Sequence, residues 1–241
     1  MIRAVLFDFS GTLANCGDAW WNLELITTVR APLTLLRQRG AVAISDDDLA
    51  RADDLYKIMK QTARETGVEI SAQEATRQAA ATLGLAVPDQ VVDAAVDELF
   101  RACLPDAAPL DGAIAALQQL QRQGLTLAVI SNARHGAFVS WALERLGMAH
   151  FFRSIAVSAD VHLRKPRPEI YWNSLAALDV APREAAYVGD YHPFDMVGAQ
   201  AAGLWSIWLV EPGKPQADLP ADAIIHSLSE LAPALARLPR Q

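Results

Sequence analysis

Cysteine is scarce in this sequence: Cys16 and Cys103 are the only two in 241 residues. They form no Cys-x-x-Cys pair and no Cys/His cluster, which argues against a zinc site or a disulfide framework and suits a reducing cytoplasm. Long hydrophobic runs are also missing. No uninterrupted apolar stretch reaches the roughly 18–20 residues of a membrane span, so no membrane association is expected. The opening stretch around Ala4–Phe7 is too short, and lacks the small-residue cleavage pattern, to read as a secretory leader. Excess positive charge is absent as well, with 21 Lys and Arg against 28 Asp and Glu and a net charge of −7. A general nucleic-acid binder is disfavoured on that ground, because phosphate backbones demand a surplus of cations. Small phosphorylated ligands stay open, since they need only a local cradle of donors. Repeats and low-complexity segments are lacking too, and residues 211–220 read as a Pro-rich loop.

What is present is a hydrophobic fraction of 52% with 20% charged residues, enough for a sizeable core. Short apolar runs recur at residues 4–7, 125–130, 155–157, 185–188 and 204–210, with a weaker one at 223–225. Amphipathic, helix-like stretches separate them at 113–123, 137–146, 168–178, 193–202 and 228–238. Strands that are apolar throughout and alternate with helices indicate a parallel sheet covered on both faces. The fold class is therefore α/β, a doubly wound parallel sheet with a Rossmann-like core.

The alternation breaks between about Asn15 and Leu104, where nearly everything reads helical. Ser45 followed by Asp46, Asp47 and Asp48 is a helix N-terminus. Ser71 with Glu74 three residues later is a capping box. Pro88 opens a further helix, as Pro suits a first turn. Trp20, Trp21, Leu25 and Ile26 form an apolar stripe on the first helix. The expected organisation is an α/β core of residues 1–14 and 105–241 with an inserted all-helical cap at 15–104.

In doubly wound sheets ligands bind beyond the carboxyl ends of the strands. Asp8 follows the first apolar run, Ser131 and Asn132 follow the second, and Gly189 and Asp190 follow the fourth, with Asp195 shortly after. Parallel strands would bring these groups to one edge, where crowded carboxylates either take up protons or hold a cation. Hard oxygen donors favour Mg2+. Lys165, beside Pro166, Arg167 and Pro168, could neutralise the same cluster. Each of these residues alone reads equally as a turn, a cap or a solvated charge; their order at successive strand ends carries the argument.

That ordered set resembles the haloacid dehalogenase-like hydrolase superfamily, most of whose members are Mg2+-dependent phosphatases. Its first motif, Asp-x-Asp-x-Thr after an apolar strand, is matched by Asp8-Phe9-Ser10-Gly11-Thr12. Its strand-end Ser or Thr is matched by Ser131, its Lys by Lys165, and its final acidic motif by Gly189, Asp190 and Asp195. The helical insertion sits where that superfamily carries its first type of cap. The resemblance implies that Asp8 is the nucleophile forming an aspartyl-phosphate, and that Asp8, the Ser10 carbonyl, Asp190 and Asp195 hold Mg2+. It also implies that Ser131, Asn132 and Lys165 bind the phosphoryl oxygens, with Gly11 and Thr12 on the substrate side. The implied partner is a small phosphorylated metabolite.

Ser10 departs from the pattern. Phosphatases of this superfamily usually carry a second Asp there, which protonates the leaving group and activates water. A serine hydroxyl is too weak an acid for either task near neutrality. Four accounts follow. A phosphatase could draw its acid–base elsewhere, with His135 and His192 as candidates, or act on good leaving groups. A carbon–halogen hydrolase needs no such acid, although dehalogenases of this superfamily carry Tyr there and lack the acidic metal pair. A phosphonate hydrolase would use a cap lysine, Lys57 or Lys60. The fourth account is a phosphate-binding or regulatory protein without turnover. Trp20, Trp21 and Tyr56 are the aromatic candidates for a pocket beneath the cap.

Overall fold

The computed structural model describes residues 1–210 and 219–239, so most of the 211–220 loop lies outside the described residues. The chain opens on β1 (Ala4–Phe7), all four of whose side chains are fully buried. After β2 (Ala14–Asn15) come five helices: α1 (Gly17–Leu25), α2 (Arg30–Gln38), α3 (Asp46–Thr66), α4 (Ala72–Thr82) and α5 (Asp89–Cys103). β3 (Ala108–Pro109) then pairs antiparallel with β2, joining the two ends of the helical block. The remainder alternates through α6 (Ala113–Arg122), β4 (Thr126–Ser131), α7 (Gly136–Arg145), β5 (Phe152–Val157), α8 (Ser158–Val161) and α9 (Pro168–Leu178). It finishes with β6 (Ala185–Gly189), α10 (His192–Ala201), β7 (Trp205–Leu209), β8 (Ala223–Ile225) and α11 (Leu231–Arg237).

The main sheet has six strands in the order β5-β4-β1-β6-β7-β8, and every pairing is parallel. β1 lies between β4 and β6, at the place where successive strands change direction of growth, and ligand crevices form there in such sheets. The pleat sends alternate β1 residues into different cores. Val5 and Phe7 pack on one face with Leu117 and Phe138, whereas Ala4 and Leu6 pack on the other with Ile170, Tyr171 and Tyr187. A third cluster, including Leu33, Leu49, Tyr56 and Ala79, belongs to the helical cap. Burying each large apolar side chain contributes about 1.5–3 kcal/mol, so the cap has a core of its own.

The local signals at the helix starts behave as the side-chain chemistry demands. Ser45 accepts from Asp48 N and its own N–H meets the Asp48 carboxylate, while Ser71 and Glu74 make the same reciprocal pair. Pro88 differs from expectation: it stands in extended conformation just before α5 rather than in its first turn. β5 starts at Phe152 and is longer than its apolar run, because an edge strand tolerates the polar Arg153 and Ser154. The stretch expected as one helix over 228–238 divides into a 3-10 turn, Leu228–Glu230, and α11. The aromatic stripe of α1 also divides: Trp20 is buried, Trp21 and Leu25 are part-exposed, and Ile26 faces solvent. No helix among the described residues is long and apolar enough to cross a membrane.

Candidate active site

Register brings the strand-end groups level. Phe7 is paired with Val129 on one side and Val188 on the other. Asp8 therefore leaves β1 beside the ends of β4 and β6, and its N–H donates to the Val188 carbonyl at 2.9 Å. Ser131 is the last residue of β4 and is buried. Asp190 directly follows β6, and Asp195 lies in the first turn of α10.

Lys165 ties this edge together. Its Nζ donates to Asp8 Oδ1 at 2.7 Å, to Asp195 Oδ1 at 2.7 Å and to the Tyr187 hydroxyl at 2.8 Å. An ammonium has three donors, and all three are used. Burial disfavours the charge on Lys165, yet the two carboxylates hold its pKa above the ordinary lysine value. The backbone of Lys165 is clamped by Asn132, whose Oδ1 accepts from Lys165 N at 2.8 Å while its Nδ2 donates to Lys165 O at 3.0 Å. The Asn132 amide thus fixes the loop that delivers the ammonium.

Tyr187 is a site residue that sequence reasoning missed. Its hydroxyl, fully buried, accepts from Lys165 and donates to the Ile130 carbonyl at 3.1 Å. The available signal was a tyrosine inside an otherwise apolar strand, since a buried phenol needs a polar partner. Tyr171 packs edge-on against it at 5.0 Å and donates to the Phe194 carbonyl.

Thr12 and Gly11 serve the Asp190 side. The Thr12 hydroxyl donates to Asp190 Oδ1 at 3.2 Å. Gly11 has φ +88, and a Cβ there would lie 2.5 Å from Asp190 Oδ2. The left-handed backbone and the close approach both call for glycine. Tyr191 N donates to Asp195 Oδ2 at 2.9 Å, so that carboxylate is held from both oxygens.

Carboxylate oxygens of Asp8, Asp190 and Asp195 lie within 4.8 Å of one another. Burial, opposed by Lys165 and reinforced by the other two acids, pushes Asp8 up to about 7. Burial and Asp195 push Asp190 up to about 6. Three clustered carboxylate oxygen donors fit a hard divalent cation, which would favour the ionised forms of Asp8 and Asp190. The cluster is able to hold a metal ion.

Above these groups lies a cavity of about 550 Å³ between core and cap. Asp8, Ser10, Ser131, Asn132, Lys165, Asp190 and Asp195 line its core side. Trp20, Trp21 and Leu25 form an apolar wall, and Glu24, Glu69, Arg134 and Arg164 form a charged one. Arg134 donates from Nη1 to Glu69 Oε1 at 3.0 Å, and its backbone N–H donates to Glu24 Oε1 at 2.8 Å. Burial, countered by Arg134, pushes Glu24 up to about 7. Glu24, Glu69, Arg134 and Arg164 were not singled out from the sequence. A charged residue gives no local sign that it will be buried.

The remaining sequence candidates lie away from this cavity. His135 is buried, stacks on Phe100 and contacts Asp97 Oδ1 at 2.8 Å, while its Nδ1 caps α7 by accepting from Phe138 N. His192 bonds to the Pro220 carbonyl. Neither histidine lines the cavity. Lys57 pairs with Asp54 and Lys60 donates to the Leu25 carbonyl, and neither lines the cavity. Tyr56 packs beneath the cavity wall and bonds to Thr28 and Glu24 O. Ser10 does line the cavity, and its buried Oγ has no hydrogen-bond partner.

An acid-tipped parallel sheet with a buried lysine hub and a helical cap is the architecture of a hydrolase class, and the family is directly shown. The chain belongs to the haloacid dehalogenase-like hydrolases, whose family model matches residues 5–209. It is 36% identical over 109 residues to a phosphoserine phosphatase of Thermus thermophilus, a match covering 43% of this chain and 42% of that protein. The chain thus spans about half or less of the length of several curated relatives it matches. A validoxylamine A 7'-phosphate phosphatase of Streptomyces hygroscopicus subsp. limoneus is 26% identical over 235 residues, 96% of each chain. Among solved structures, a 2-haloacid dehalogenase from Pseudomonas syringae superposes with a TM-score of 0.72 at 25% identity, covering 99% of this chain and 100% of that one.

Proposed function

We propose that this protein is a Mg2+-dependent phosphatase of a small phosphorylated metabolite, working in the cytoplasm, with Asp8 as nucleophile and residues 15–104 as its cap. The observation that carries this reading is the Lys165 ammonium held between Asp8 and Asp195, with Asp190 completing a three-carboxylate cluster under the cavity. A haloalkanoate site needs no such acidic cluster, whereas phosphoryl transfer is catalysed chiefly by positioned cations and donors.

Asp8, the Ser10 carbonyl and Asp190 would hold Mg2+, with Asp195 supporting the shell. The ion supplies positive charge that keeps the clustered acids ionised and draws the phosphoryl oxygens. A carboxylate oxygen of Asp8 attacks phosphorus, and the ester P–O bond breaks with its electron pair on the leaving oxygen. Lys165 and Ser131 hold the phosphoryl oxygens while Asn132 keeps Lys165 in place. Water then cleaves the aspartyl-phosphate, releasing inorganic phosphate and restoring Asp8. Ser10 cannot protonate the leaving oxygen, so water does so, and substrates with good leaving groups such as acyl phosphates are favoured.

A second reading, carbon–halogen hydrolysis, draws support from Ser10 and from the likeness to a 2-haloacid dehalogenase. A screen of phosphoesters, acyl phosphates, haloacids and phosphonates, each with Mg2+ or EDTA, separates the two. Phosphate release that EDTA abolishes supports the phosphatase. Halide release insensitive to EDTA would overturn it, and phosphate-analogue binding without turnover would instead favour a regulatory protein. In the phosphatase, Asp8→Asn removes both turnover and phosphoryl-enzyme formation.

A further inference from the structure

Five buried side-chain polar atoms among the described residues lack a hydrogen-bond partner: Ser10 Oγ, Trp20 Nε1, Glu24 Oε2, Arg134 Nε and Arg164 Nη1. All five residues line the same cavity. A buried unpartnered polar group costs about 1–3 kcal/mol, and most native structures avoid it. Their gathering around one hollow marks a place built for a ligand.

Two of the five are arginines, and their setting is specific. Arg134 is 3% exposed and Arg164 7% exposed. The Arg134 guanidinium lies over the Tyr56 ring at 5.3 Å and that of Arg164 over the Phe194 ring at 5.5 Å, so aromatic faces hold both. Glu69 lies between them, with Oε1 3.0 Å from Arg134 Nη1 and Oε2 3.7 Å from Arg164 Nη1. The second distance is too long for a hydrogen bond. Oε2 of Glu69 instead accepts from the Ser158 hydroxyl at 3.0 Å. Two guanidiniums thus share the Glu69 carboxylate, and Arg64 lines the same end, so cationic side chains crowd the cap end of the cavity.

Backbone hydrogen bonds keep this end closed. Arg164 N donates to Gly67 O at 3.1 Å, Glu69 N to His162 O at 3.3 Å, and Ala72 N to Arg134 O at 2.7 Å. They tie the loop between α3 and α4 to the loops that carry both arginines.

We propose that Arg134 and Arg164 form a carboxylate-binding subsite, so that the substrate is a small phosphomonoester bearing a carboxylate at its other end. The phosphoryl half of this assignment rests on the phosphatase reading of the Asp8 edge; the carboxylate half rests on the arginines alone. A planar guanidinium matches a carboxylate with parallel N–H donors. The cationic side chains at this end call for an anionic group. Trp20 and Trp21 provide the apolar wall along which a short carbon chain runs between the two anionic ends.

Binding of non-hydrolysable ligand pairs tests the subsite. Phosphonoacetate is compared with ethylphosphonate, and phosphonopropionate with propylphosphonate, by calorimetry on the full chain with Mg2+. The expected result is at least tenfold tighter binding of the carboxylate-bearing member in one or both pairs. In Arg164→Met and Arg134→Met the ratio of the two affinities falls to near one. Equal affinities at both chain lengths, or a preference that survives both substitutions, would overturn the subsite. The comparison on the native chain decides the matter even if a variant fails to fold. Absent phosphoester turnover alongside an intact preference sinks the phosphatase reading and leaves the carboxylate site standing. Turnover of phosphoesters with no preference does the reverse.

Discussion

Nζ of Lys165 lies 2.7 Å from Oδ1 of Asp8 on the floor of the cavity, although 157 residues separate the two in the chain. This contact supplies positive charge where a phosphoryl group would meet its nucleophile. Lys165→Met removes that charge and leaves Asp8 and Asp195 facing each other without a cation between them. Losing one preorganised donor of this kind costs about 10²–10³ in turnover. Steady-state hydrolysis of an aryl phosphate checks this, and a loss below tenfold would refute the role of Lys165.

Gly11→Ala introduces a Cβ 2.5 Å from Asp190 Oδ2 at a φ of +88. The left-handed conformation alone costs an L-residue roughly 1–2 kcal/mol, and the displaced Asp190 weakens the carboxylate cluster. Mg2+ titration by calorimetry is expected to show an affinity at least tenfold lower than in the native protein. Unchanged affinity would mean that Asp190 is not a ligand.

Ser10→Asp places an acid–base where the buried Ser10 hydroxyl has no hydrogen-bond partner. A positioned acid–base contributes about 10²–10⁴ in rate. The variant is expected to hydrolyse alkyl phosphates faster by an amount approaching that range, with little gain on acyl phosphates, whose leaving groups need no proton. Slower turnover on both would show that Ser10 itself, or the room it leaves, serves the native reaction.

Glu24 predicts a dependence of stability on pH. Its pKa is pushed from an ordinary 4.5 up to about 7 in the folded chain, chiefly by burial. Below about pH 4.5 the carboxyl is protonated in both folded and unfolded states and carries no penalty. Between 4.5 and 7 only the unfolded state releases the proton, so stability falls as pH rises through this window and levels off above it. The full effect is at most about 3 kcal/mol. Glu24→Gln keeps the acceptor for Arg134 N and removes the titration. Thermal unfolding from pH 4 to 8 is therefore expected to show a shallower decline in the variant. Equal slopes would mean that Glu24 stays ionised in the fold.

The outcome at particular residues shows how much of this was readable in advance. Apolar runs without alternation announced buried parallel strands, and an acid at the tip of the first could be placed beside those of its neighbours by topology alone. Asp190 then comes beside Asp8 because parallel strands share one carboxyl edge, while Lys165 reaches it from the loop before α9 and Asp195 from the first turn of α10. His135 and His192 were attractive for lying close in sequence to Ser131 and Asp195. Their imidazoles turn instead to Asp97 and the Pro220 carbonyl, as a helix start can direct adjacent side chains to different sides.

Local pattern by itself determined the α/β class, the helical insertion, and the strand-tip identity of Asp8, Ser131 and Asp190, because periodicity and capping act over a few neighbouring residues. Only tertiary structure decided that Tyr187 braces Lys165 and that Asn132 clamps its backbone. It alone placed Glu24, Glu69, Arg134 and Arg164 along one charged wall. Glu69 and Arg134 are 65 residues apart. Neither carries a local mark of burial, since a charged side chain is drawn inside only by a partner that the fold delivers from elsewhere in the chain.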